Sequence, residues 1–115
     1  MSKIILCGVL LASGCRASAA TPAPTSEIQG CPAPPPSYRA AVVPVLREKC
    51  FACHAGNGDE VDDHDFSTFE KVHAQRGDIE GKVRARAMPP SGRTQLTEPE
   101  RRTLLAWLGC KAPEN

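Results

Sequence analysis

The stretch Cys50-Phe51-Ala52-Cys53-His54 constrains this chain more than any other. It is a C-x-x-C-H motif, the attachment pattern of a c-type haem. Two thiols three positions apart at a helix end can each add across one vinyl group of a single porphyrin. The imidazole of the next residue then sits beneath the iron. Two other uses of paired cysteines make demands elsewhere in the chain. A structural zinc site needs two further Cys or His ligands at close spacing, whereas Cys31 and Cys110 are isolated single residues. A thioredoxin-like dithiol needs a β-α-β pattern around the cysteines, and no alternating Val/Ile/Tyr-rich run is present.

A covalent porphyrin also answers a shortage of apolar bulk. The chain has 115 residues, enough for one domain with appendages, and only three Phe, one Tyr and one Trp to fill its core. A flat apolar cofactor, at about 25 cal/mol per Å² buried, would supply the missing contact area. Charge is nearly balanced, with 14 Lys and Arg against 13 Asp and Glu, so no basic field argues for nucleic acid. Six cysteines point to an oxidising compartment or to covalent use.

The N-terminal region reads as an export signal over residues 1–14, with Lys3 as the charged start and a short apolar run from Ile4 to Ala12. The run is too short for a stop-transfer helix. Leu11-Ala12-Ser13-Gly14-Cys15 is similar to a bacterial lipobox, which would lipidate Cys15 and hold the protein at a membrane. It departs from the commonest pattern in having Ala12 three positions before the cysteine. Cleavage after Ala17-Ser18-Ala19 is the alternative and would leave a soluble periplasmic protein. Cys7, inside the apolar run, is a small hydrophobe lost on processing. Residues 15–36 are rich in Ala, Pro, Ser and Thr and end in Pro32-Ala33-Pro34-Pro35-Pro36, the composition of an extended tether.

Residues 37–115 are predicted to form an all-α domain. Ser37 is a candidate N-cap for a helix reaching Lys49, with Val42, Val45 and Leu46 at helical spacing and Pro44 expected to kink it or shift its start. Cys50 falls at the C-terminal end. Residues 55–66 read as a solvated acidic loop, whose spacing does not match an EF-hand. Ser67-Thr68-Phe69-Glu70 matches a capping box for a short helix to about Gln75, with Phe69 and Val72 buried and Gly77 as its stop. Ile79 and Val83 fit another turn on the core. Arg84 to Gly92 reads as an irregular loop around Met88-Pro89-Pro90. Thr97-Glu98-Pro99-Glu100 is a second capping box, opening a helix whose apolar face is Leu104, Leu105, Trp107 and Leu108, with Gly109 as its stop.

His54 leaves one axial position on the iron open, and the group that fills it separates electron carriage from small-molecule activation. Met88 is the one methionine beyond Met1 and lies on a Pro-stiffened loop, which makes its thioether the candidate. His64 and His73 are the competing ligands, expected in a flexible loop and on a polar helix face respectively.

Together these residues resemble a small class I c-type cytochrome domain, particularly those of exported lipoproteins. The likeness covers residues 37–113. It rests on Tyr38, Val42, Pro44-Val45-Leu46 and Cys50 of the first helix, the Cys50–His54 motif, Met88-Pro89-Pro90, and Leu96-Thr97 leading into Arg101-Arg102-Thr103-Leu104-Leu105-Ala106-Trp107-Leu108. The stretch between His54 and Met88 is short for the family. The resemblance implies one haem c, thioethers at Cys50 and Cys53, His54 as proximal and Met88 as distal ligand, and packed first and last helices. It implies a periplasmic one-electron carrier in a Gram-negative-type envelope, exchanging electrons with redox protein partners. Lys82, Arg84, Arg86 and Arg93, with no acid among them in sequence, would present a basic face to an acidic partner. A haem peroxidase-like catalyst, and a haem sensor or accessory subunit of a larger oxidoreductase, are the alternatives. In an oxidising periplasm Cys31 and Cys110 are expected to pair, the other possibility being two free thiols.

Overall fold

A computed structural model describes residues 30–115. The expected signal, Cys7, the lipidation residue Cys15 and most of the tether lie outside the described residues. Within them the regular structure is helical, with no strand.

The first helical segment shows how Pro44 is accommodated. Ser37 caps it as expected, its hydroxyl accepting the Ala40 N–H at 3.3 Å. Tyr38–Val42 then form a widened π-type turn, in which the Val42 N–H reaches back five residues to the Ser37 carbonyl at 3.2 Å. Pro44 sits in the first turn of helix α1, Val43–Lys49, where its missing N–H costs no hydrogen bond. The expected single helix is therefore two pieces, the widened turn absorbing the proline. Cys50 closes α1 by donating its N–H to Leu46 at 2.8 Å, and the single turn α2, Phe51–His54, carries the rest of the motif.

Two sequence expectations move by a residue or more. Helix α3 is Phe69–Ala74, and its cap is Thr68, whose hydroxyl accepts the Lys71 N–H at 3.4 Å, so the box proposed from Ser67 to Glu70 does not form. Asp65 has claimed the Ser67 N–H at 2.7 Å in a local turn, and the Ser67 hydroxyl faces Lys71 Nζ. Gly77 does not stop a helix but lies inside α4, Arg76–Arg84, because Gln75 already breaks the chain between α3 and α4. Ile79 and Val83 are buried from α4 as expected. Helix α5, Glu98–Gly109, starts in the full reciprocal box between Thr97 and Glu100.

Helix α5 packs on the π-type turn and on α4. Trp107 is wholly buried and stacks on Tyr38 at 5.2 Å, while Tyr38 meets Phe69 edge-on at 4.9 Å. Leu46, Leu104, Val42 and Val72 are the other large side chains that are fully buried. After α5 the chain turns through Lys111 and Ala112, both at positive φ, and Ala112 is buried with its N–H on the Trp107 carbonyl at 3.0 Å. The tail then crosses to the first segment. Trp107 Nε1 donates to Pro113, and Asn115 accepts from Ser37 Oγ and the Tyr38 N–H, each at 2.9 Å. Cys31 and Cys110 stand at disulfide distance, 1.93 Å between sulfurs, across 79 positions. Pro35 and Pro36 are half-buried, so the end of the Pro-rich segment lies on the domain. Among the described residues no helix is long and apolar enough to cross a membrane.

Candidate functional site

One cavity gathers the residues that the sequence singled out. The α1–α2 junction contributes Cys50, Cys53 and His54, α4 contributes Ile79 and Val83, the loop between α4 and α5 contributes Met88 and Pro89, and α5 contributes Leu104. The space among these walls is a cleft that opens to solvent at its mouth, lined mostly by apolar side chains with the sulfur and imidazole groups among them.

The motif itself is held by backbone. Glu60 donates its N–H to the Cys53 carbonyl at 3.0 Å, and Phe66 donates to the His54 carbonyl at 2.6 Å. Gly58 packs so closely on this turn that a Cβ there would land on the Cys53 carbonyl. Neither Cys50 nor Cys53 is in a disulfide. Burial, with the Cys53 thiol beside it, pushes the Cys50 thiol up to about 11. A redox-active dithiol needs the opposite, a thiolate stabilised near neutral pH. Nor is there a zinc tetrahedron: among the described residues no three His, Cys, Asp or Glu side chains gather as a metal site, and Cys31 and Cys110 are engaged with each other.

His54 is oriented on two sides. Its ring stacks on Phe66 at 4.5 Å, and its Nδ1 lies 2.9 Å from the His64 carbonyl. A carbonyl only accepts, so Nδ1 carries the proton and Nε2 keeps its lone pair on the other edge, as a metal-binding imidazole requires. His64 is itself clamped. Its Nδ1 donates to Gln75 Oε1 at 3.0 Å, and Gln75 Nε2 donates to the Asp65 carbonyl at 2.9 Å. The expectation of His64 as a flexible surface residue is thus corrected: it is half-buried, lines the cavity, and supports the Nδ1 edge of His54. His73 lies against Phe69 at 5.5 Å, away from the cavity lining.

Met88 also lines the cavity, but 38% exposed. Its N–H reaches the Lys82 carbonyl at 3.3 Å, Pro89 beside it is buried, and the Gln95 amide donates to carbonyls of the loop. Arg101, buried on α5, donates to the Val83 carbonyl and so ties the end of α4 to the last helix.

The expected basic face is smaller than its sequence suggested. Arg84 pairs with Glu80 at 2.8 Å and Arg86 with Glu98 at 2.9 Å, leaving Lys82 and Arg93 at the cavity outside the ion pairs among the described residues. Lys49, its side chain buried between Glu48 at 2.8 Å and Glu100 at 3.7 Å, spends its charge on the joint between α1 and α5.

The donor set fits a haem: two adjacent thiols, an imidazole with a free Nε2, a thioether, and apolar walls between them. Sequence reasoning missed Gly58, Phe66, Gln75 and Gln95, of which only Gly58, a glycine four residues after the motif, carried a local signal. No family model matches this chain, and no curated protein or solved structure matches it.

Proposed function

We propose that this chain is a one-electron carrier, exported and held at a membrane through Cys15, with haem c attached at Cys50 and Cys53. The observation that carries this reading is the convergence on one apolar cavity of both motif thiols, an imidazole whose Nε2 is left free, and the Met88 thioether. When bound, the haem supplies an iron that changes oxidation state by one electron. The chain's part is to keep the surroundings the same in both states. Cys50 and Cys53 tie the cofactor in place, His54 is kept in one tautomer by the His64 carbonyl, and Met88 offers a sulfur that favours ferrous iron. Ile79, Val83 and Leu104 exclude water from that side. Lys82 and Arg93 provide a modest positive rim for an acidic redox partner, an attraction that salt would screen.

The test is the visible spectrum of protein expressed with haem-attachment machinery, wild type beside Met88→Ala. Covalent haem in both, with the weak red absorbance of thioether-bound ferric haem lost only in the mutant, is the expected result. Absence of covalent haem in the wild type would sink the reading.

The 38% exposure of Met88 favours one alternative, a peroxidase-like catalyst with a displaceable distal ligand. Under that reading wild type turns over peroxide at a rate that Met88→Ala barely raises; under electron carriage the mutant is at least about tenfold faster, because the site has been opened.

A further inference from the structure

We infer that Gln95 is the positioning residue of the Met88 loop, setting how firmly the thioether is held. This rests on the proposed Met88 ligation. The loop is short of backbone donors where it needs them, since Pro89 and Pro90 have no N–H. Its carbonyls therefore outnumber the main-chain groups available to satisfy them, and the one loop-internal bond in this turn is Arg93 N–H to Pro90 at 3.1 Å. Gln95 supplies the deficit. Its single Nε2 faces the carbonyls of Pro89, Pro90 and Arg93 at 3.1, 3.0 and 3.0 Å. Three acceptors around one nitrogen fix the amide's orientation, because the Oε1 end would meet only other acceptors.

The clamp has a firm base. Leu96, the next residue, is buried in the core, and Thr97 begins the capping box of α5. Gln95 thus connects the rigid start of α5 to the residue directly after Met88. Before the thioether the loop is held by the Ala87 and Met88 N–H groups on the Lys82 carbonyl and by the Arg86–Glu98 pair; directly after it, the side-chain support runs through this amide.

Replacement by Glu keeps the shape and reverses the chemistry, setting a carboxylate against three carbonyls; Ala deletes the clamp. The experiment uses the full chain carrying its haem, as wild type, Gln95→Ala and Gln95→Glu. Imidazole is titrated against the ferric protein to compete for the distal position, and amide hydrogen exchange is followed at Arg93. For Gln95→Glu, imidazole affinity should rise about tenfold and Arg93 exchange should quicken by a similar factor, with a smaller change in Gln95→Ala. Haem content should match wild type, since the Cys50–His54 side is untouched. Equal imidazole affinity in all three proteins, with Arg93 exchange unchanged, overturns the inference. If Met88→Ala leaves the wild-type spectrum unaltered, it is the ligation reading that fails, and Arg93 exchange alone still decides whether Gln95 holds the loop.

Discussion

The two sides of the cavity are built by different means. On the His54 side, support is dense and comes from backbone and rings: Gly58 against the Cys53 carbonyl, Phe66 stacked on the imidazole, the His64 carbonyl on Nδ1, and Gln75 behind His64. On the Met88 side a half-open residue is held by the Lys82 carbonyl, one glutamine amide and an exposed Arg86–Glu98 pair. Close packing tolerates little displacement, whereas a few polar contacts at a surface loop open at small cost. The contrast implies a fixed wall at His54, the proximal side of the proposed haem, and an adjustable one at Met88, its distal side.

The largest effect is expected where the proximal wall meets the core. Phe66→Ala removes a buried ring that also braces His54, and should cost about 3–5 kcal/mol in denaturant unfolding. Gly58→Ala forces backbone to move against backbone and should cost about 2–3 kcal/mol; under the proposed haem attachment it also lowers covalent haem content, read by haem staining after denaturing electrophoresis. Full haem content in that variant would mean the wall is softer than its packing implies. Gln75→Leu releases the His64 ring and exposes the Asp65 carbonyl, an expected loss of about 1 kcal/mol. On the distal side, Arg86→Ala breaks an exposed pair with Glu98 and should cost no more than about 0.5 kcal/mol. A larger loss there would erase the contrast.

Acid supplies a last, small test. Lys71, with help from the Ser67 hydroxyl and N–H, holds the Asp65 carboxyl at about 2, below its ordinary 3.8. A depressed folded value means the stabilisation is present above the unfolded value and is lost as pH falls from about 4 through about 2. Stability curves of wild type and Asp65→Asn should therefore converge in that window and differ above it.

What the sequence made legible was local. The C-x-x-C-H turn, the Ser37 cap, the Thr97–Glu100 box and the apolar face of α5 depend on residues within a few positions of one another, and each is found where expected. Ser67 misled because Asp65, two residues earlier, competes for its N–H. Gly77 misled because an exposed glycine is tolerated inside a helix when another residue, Gln75, makes the break. The supports of the cavity were out of reach for a different reason. His64 acts on His54 through its main-chain carbonyl, and Gln95 acts through an amide on main-chain oxygens, so neither role leaves a side-chain pattern to read.

The clasp between Cys31 and Cys110 has a mechanical consequence. A pull arriving along the N-terminal tether would enter the domain at Cys31 and pass directly to Cys110, at the end of α5. The load then falls on the longest helix and the buried Trp107, bypassing Ser37 and the π-type turn that leads to the Cys50–His54 motif. Tension on the N-terminal segment would thus be borne first by α5, whose part in the cavity is the Leu104 wall and not the Cys50–His54 turn.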